Sequence, residues 1–377
     1  MVRVVLLGAN CRSDTLLCRV QCPLPFAKLT GLHIGAIDAI DNVLFEDLEE
    51  IRTIGAGASS TVKLAKHKET GVHYALKCIG LYMKDMRKML LTELHTLFHS
   101  DCDALIAFHG ATYREGQVRC TCASMRSAPV HHHALHDVLQ VAVVLEYMNL
   151  GGLEDVMKLG AVPENVLASI AYQTLWGLGY LQHERRIHRD IKPANILINT
   201  DGEVKLTDFG ISREMQTAML AKTFVGSFKY MAPERISGGS YDYSSDIWSF
   251  GLVVLEAALG KYPYPESKST VGYVSIVADG NVPEVPADAG FTPQFKQFIA
   301  STLQKDPSLR ANAVQLLDSE WMMRHGCDSL EGSATVVAAW LKRSGFRSDI
   351  PTAAETLRAS GLSEGKMGDD AASESKK

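Results

Sequence analysis

The run His188-Arg189-Asp190-Ile191-Lys192-Pro193-Ala194-Asn195, with Asp208-Phe209-Gly210 beginning thirteen residues after Asn195, decides how this chain is read. It carries the oxygen atoms that phosphoryl transfer demands. That reaction asks a protein for positioning and charge stabilisation: a carboxylate to orient the attacking hydroxyl, and oxygen ligands for Mg²⁺ on the phosphates. Asp190 fits the first role, and Asn195 and Asp208 fit the second. Between them, Ile196-Leu197-Ile198 and Glu203-Val204-Lys205-Leu206 flank Asp201-Gly202, which is a hairpin signature. A hairpin folds back on itself, so Asn195 and Asp208 are expected to arrive side by side.

These motifs resemble those of the eukaryotic protein kinases. The resemblance implies an α+β fold of two lobes, a small β-rich N-lobe with one key helix and a larger, mainly helical C-lobe. ATP and Mg²⁺ are the implied cofactors. The other signatures follow in order. Ile54-Gly55-Ala56-Gly57-Ala58-Ser59-Ser60-Thr61-Val62 stands where a glycine-rich loop covers the phosphates, its glycines letting backbone N–H groups approach the anions. Ser60 replaces the family's third glycine. Lys77, fifteen residues after Val62 and sixteen before Glu93, ends an alternating stretch and is expected to reach the α- and β-phosphates. Glu93 lies among Met86, Met89, Leu90, Leu94, Leu97 and Phe98, which recur at helical spacing. The resemblance pairs Glu93 with Lys77 and makes that helix a movable switch.

The resemblance also implies a hinge at Glu146-Tyr147-Met148 against adenine, with Leu145 at the back of the pocket and Ala75 and Leu197 completing the nucleotide site. Lys192 would stabilise the transferring phosphoryl group, as in kinases that act on serine or threonine. Two further acids read as structural. Glu234, in Ala232-Pro233-Glu234, is expected to pair with Arg310, and Asp246 to hold the catalytic-loop backbone.

Length and composition agree with these expectations. The 377 residues suit a two-lobed domain with short extensions: 1–44, a kinase domain at 45–325, and 326–377. The N-lobe is expected at 45–148 and the C-lobe at 149–325. A 46% hydrophobic and 21% charged composition is ordinary for a globular protein, and a net charge of −5 gives no basic field for nucleic acid. Eight irregularly spaced cysteines, and a start too short in apolar residues for export, point to reduced thiols in the cytoplasm. No apolar run is long enough to span a membrane. An apparent insertion at 119–138 holds Cys120, Cys122, His131, His132, His133 and His136. It lacks a periodicity that would hold zinc ligands in place, so it reads as a surface loop. After Trp321, a short helix is expected from Ser333 to Ser344, and a small, polar, disordered tail from Ala359.

The stretch Thr223-Phe224-Val225-Gly226-Ser227, followed by Tyr230-Met231-Ala232-Pro233-Glu234-Arg235, narrows the resemblance to the dual-specificity MAP kinase kinases. That resemblance implies a MAP kinase as substrate, an upstream MAP kinase kinase kinase as activator, and Thr217 and Thr223 as regulatory phosphosites. Five residues separate the two threonines, a spacing similar to plant-type members. Another serine/threonine kinase of a signalling cascade is the nearest alternative. A pseudokinase scaffold is a more distant one, opposed by the intact Lys77, Glu93, Asp190, Asn195 and Asp208.

Overall fold

The computed structural model describes residues 43, 45–57, 60–81, 100–117, 137–208, 227–239, 242–265, 267 and 270–361. Ala58, Ser59, Glu93, Thr217 and Thr223 lie outside them, as does nearly all of the 1–44 extension.

Among the described residues, the small lobe is one antiparallel sheet, and the helix expected around Glu93 lies outside them. Its strands β1 (Leu48–Ala56), β2 (Ser60–His67), β3 (His73–Leu81), β4 (Phe108–Gln117) and β5 (Asp137–Glu146) lie in the order β1-β2-β3-β5-β4. The period-two alternation of β3 sorts its residues between faces. Tyr74 and Leu76 join Leu48, Ala65, Val72 and Val144 in one buried cluster. Ala75 and Ile79 belong with Val141, Val143 and Leu145 to the other, which continues into the large lobe. Lys77 is opposite Val62 on β2 and Val143 on β5, so it too faces the cleft. β4 and β5 pair outward as far as Gln117 and Asp137. The inserted segment is therefore 118–136 rather than 119–138, because Asp137 and Val138 are needed to complete the ladder.

The large lobe is built on two buried helices. α1 (Leu153–Met157) leads to α2 (Glu164–His183), which Pro163 precedes at the N-cap, where a missing N–H costs nothing. The hairpin β6 (Ile196–Ile198) and β7 (Val204–Leu206) follows. Next come α3 (Pro233–Ile236) and α4 (Tyr243–Leu259). α4 is capped by the Asp242 carboxylate and closed by Gly260 at φ 65°. It is apolar nearly all round and buries Trp248 and Phe250 completely, as a central helix should. Around it lie α5 (Thr270–Ala278), α6 (Pro293–Thr302), α7 (Ala313–Leu317) and α8 (Glu320–Arg324).

Two further helices, α9 (Leu330–Arg343) and α10 (Ala353–Ser360), follow Trp321. α9 replaces the shorter Ser333–Ser344 expectation, because Ser329 caps it by accepting from the Gly332 amide. Among the described residues, no helix is long and apolar enough to cross a membrane.

Candidate active site

The β6–β7 hairpin assembles the site. Ile196 pairs with Leu206 and Ile198 with Val204, and the Thr207 amide donates to the Asn195 carbonyl at 3.1 Å. Asn195 and Asp208 thus sit together at the open end. Arg189 (φ 73°) and Asp208 (φ 63°) occupy the left-handed region, which costs a side-chain-bearing residue roughly 1–2 kcal/mol. At Arg189 the surroundings enforce that conformation. The buried Asp246 carboxylate accepts from the His188 amide (2.8 Å) and the Arg189 amide (2.9 Å).

Asp190 is held on one side only. Its Oδ2 accepts from Lys192 Nζ (2.7 Å) and Asn195 Nδ2 (2.9 Å), and the same Asn195 nitrogen donates to the Asp190 carbonyl (2.7 Å). Among the described residues, nothing donates to Oδ1. The carboxylate therefore has a fixed orientation and one open acceptor, as a base for a hydroxyl proton requires. Asn195 spends its NH₂ on Asp190, which leaves its amide oxygen for another partner.

Lys77 crosses from the small lobe to meet Asp208 Oδ1 at 2.7 Å. Burial works to raise the Asp208 pKa, but the charge and hydrogen bond of Lys77 more than offset it, so the carboxyl stays below its usual range. Asp208 Oδ2 accepts nothing among the described residues. That oxygen and the Asn195 amide oxygen are hard donors of the type Mg²⁺ takes when substrate phosphates complete its shell. The residues present fit that ion. Glu93, the partner expected for Lys77, is outside the described residues.

The hinge is tied to the same hairpin. Leu150 N donates to the Ile198 carbonyl (3.2 Å) and Ile198 N to the Gly151 carbonyl (2.9 Å). This places half-buried Leu197 on the hinge side, with half-buried Ala75 opposite Leu145 on the neighbouring strand. Gly151 adopts φ 76°, which glycine reaches without strain. The Met148 amide has no acceptor among the described residues, as a donor reserved for adenine would require. In the phosphate loop, Gly57 N donates to the Ser60 carbonyl at 2.7 Å, and a Cβ on Gly55 would contact Val62.

Some supporting groups gave no sequence signal. Glu146, read only as hinge backbone, uses its carboxylate to bind Lys205 at 2.8 and 2.9 Å and to accept from the Ala107 amide. An isolated strand lysine does not reveal such a pair. His188 is wholly buried, and desolvation pushes its pKa down to about 4, so it is neutral. Burial pushes Asp246 the other way, up to about 7, despite its two amide donors. Arg310 grips Glu234 with two bonds of 2.7 Å and stacks 5.1 Å from the Trp248 ring centre. Tyr230 donates to Glu256 at 2.7 Å.

Two lobes joined at such a hinge, with a lysine, two acids and an asparagine converging between them, define a phosphotransferase cleft. Residues 48–322 match the model of the protein kinase domain. The chain belongs to the protein kinase family. Mitogen-activated protein kinase kinase 1 of Arabidopsis thaliana is 41% identical over 297 residues, covering 76% of this chain and 77% of that protein. Mitogen-activated protein kinase kinase SIPKK of Nicotiana tabacum is 39% identical over 294 residues, 75% and 76% of the two chains. The dual specificity mitogen-activated protein kinase kinase dSOR1 of Drosophila melanogaster is 32% identical over 337 residues, 82% and 79%. Within its family, the chain is a protein kinase of the MAP kinase kinase type.

Proposed function

We propose that this protein phosphorylates both the threonine and the tyrosine in the activation loop of a MAP kinase, and that phosphorylation at Thr217 and Thr223 by an upstream MAP kinase kinase kinase switches it on. The carrying observation is the half-occupied Asp190 carboxylate. Its oriented, open Oδ1 can accept the proton of an incoming hydroxyl, while Lys192, 2.7 Å from Oδ2, would stabilise the transferring phosphoryl group. Lys77 would hold the α- and β-phosphates, and Asn195 and Asp208 would hold Mg²⁺, which screens the phosphate charge when bound. The Ile54 to Val62 loop would cover the phosphates. The hinge backbone at Glu146 and Met148 would bind adenine between Ala75 and Leu197.

By the same resemblance, Gly226 to Arg235 would form the floor on which the acceptor residue lies, and a floor that admits both a short threonine and a long tyrosine cannot rely on a rigid peptide consensus. Selectivity then comes from docking a folded partner, which presents its own loop at high effective concentration. The test uses a native, catalytically inactive MAP kinase, its heat-denatured form and the isolated loop peptide. Phosphate should appear on both residues of the native protein, with little on the other two substrates. Equal rates on native protein and peptide would defeat the docking argument. Modification of serine or threonine alone in every MAP kinase would favour an ordinary serine/threonine kinase.

A further inference from the structure

The C-terminal segment joins the two lobes a second time. α9 packs on α2 and lies so close to the β6–β7 turn that a Cβ on Gly202 would stand 2.0 Å from the Ala334 carbonyl oxygen. The chain then turns at Gly345 (φ 79°), with Phe346 against Trp340, and passes the hinge. There Asn149 Nδ2 donates to the Ile350 carbonyl (2.8 Å) and to Thr200 Oγ1 (2.9 Å). Thr352, 3% exposed, opens α10. Its hydroxyl accepts from the Glu355 amide (3.2 Å) and donates to Asp201 Oδ2 in the β6–β7 turn (2.7 Å). One hydroxyl both caps α10 and fastens it to the large lobe. Beyond it Leu357, 7% exposed, completes the outer cluster of the small-lobe sheet with Val43, Leu48, Tyr74 and Val144.

We propose that residues 345–360 are an interlobe clamp that narrows the rotation of the two lobes about the hinge and so holds the cleft in its nucleotide-binding form. A helix that merely covered apolar surface would need to touch one lobe. α10 has eight residues and is fixed at its N-cap to the large lobe and by its apolar face to the small lobe. Two residues before the N-cap, Asn149 holds the strap at the pivot itself by its bond to the Ile350 carbonyl. A short rigid helix cannot follow both lobes as they rotate apart. Opening must break the Thr352–Asp201 bond or strip Leu357 from its cluster. When only a fraction of molecules is competent to bind, apparent affinity falls by that fraction, so releasing the clamp weakens nucleotide binding without altering any group in the cleft.

The proposal rests on reading the cleft as a nucleotide site, and the test separates the two. In the full chain, Leu357→Asp, Thr352→Val and Asp201→Ala are compared with the parent by calorimetric titration of Mg·ADP and by backbone hydrogen exchange at residues 146–152. Each variant is expected to bind Mg·ADP roughly three- to tenfold more weakly and to exchange faster at the hinge. Thr352→Val combined with Asp201→Ala should be no weaker than the worse single variant, since both remove one bond. Asp201→Ala leaves the N-cap intact, so it carries the test if Leu357→Asp does not fold. Hinge exchange unchanged, with affinity within about twofold of the parent, would overturn the clamp. A parent that does not bind Mg·ADP would overturn the nucleotide reading, while hinge exchange would still decide the clamp.

Discussion

Asp190 and Asp208 stand close together in one site and fail differently when changed. Asp190→Asn removes the open acceptor but keeps an atom to meet Lys192. It should lower kcat by about 10²- to 10⁴-fold, the usual worth of a positioned base, with Mg·ADP affinity nearly unchanged. Asp208→Asn should weaken Mg·ADP binding as well, because an anionic oxygen is lost beside Lys77. Full phosphotransfer by either variant would refute its role. His188 and Asp246 make a second residue-scale case. His188 has a lower pKa folded than unfolded, so its contribution is present above about pH 6.5 and is lost as pH falls towards 4. Asp246 has a higher pKa folded, so its contribution is present below about pH 4 and is lost as pH rises through 7. They amount to roughly 3 and roughly 4 kcal/mol and oppose one another, so the native protein should show a shallow pH dependence across this window. Asp246→Asn leaves the His188 slope uncompensated. Its urea midpoint should drop more steeply than the parent's between pH 6.5 and 4, and parallel curves would show that the two groups are not linked to folding in this way. Asp190, Asn195, Asp208 and Lys77 were legible because their chemistry dictates their spacing. The burial of His188 and the Lys205–Glu146 pair were not, since both depend on elements far apart in sequence.

At the scale of elements, the β6–β7 hairpin was readable from Asp201-Gly202 between two short apolar runs, yet its glycine serves two masters. Gly202 adopts φ 81°, which turn chemistry requires, and it also admits the backbone of α9. Gly202→Ala should therefore cost at least about 2 kcal/mol, more than a left-handed alanine alone, and should free α9 for proteolysis between Cys327 and Ser329. A thermal shift confined to the ordinary alanine penalty, with α9 still protected, would contradict the close-approach argument. α10 illustrates what the sequence conceals. α10 buries little more than Leu357, so its apolar periodicity is too thin to register against the polar residues that follow it. The β4–β5 connection shows the converse. Gln117 and Asp137 already face each other across the ladder, so a short Gly/Ser turn can close the hairpin in place of residues 118–136. Phosphotransfer should survive that replacement, and a preparation that holds stoichiometric zinc and loses its fold on chelation would show that the Cys/His segment is structural.

For the whole molecule, the question is what turns a cleft of this kind on. The catalytic loop is already held by Asp246, and the floor after the activation segment by the Glu234–Arg310 pair and the Tyr230–Glu256 bond. The catalytic loop and the C-terminal end of the activation segment are thus fixed to the large lobe by groups that do not depend on modification. Thr217 and Thr223 lie in sequence between the two. A phosphate there adds about −1.5 to −2 charges and three acceptor oxygens, which a guanidinium binds in a defined geometry. Arg189 is exposed and directly precedes Asp190, so a phosphate drawn to its cation would lie close to the catalytic acid. Phosphorylation would convert that cation into an anchor and order the segment around the open Asp190 oxygen, a local charge change with a global readout. The unmodified protein should therefore be poorly active, and an upstream MAP kinase kinase kinase should raise its rate on a native MAP kinase substantially. Thr217→Ala with Thr223→Ala should abolish that rise while leaving Mg·ADP binding intact, because the nucleotide contacts are made elsewhere. Undiminished activation of the double variant would remove both threonines as the switch, and activation lost only with Thr223→Ala would assign the switch to that residue alone.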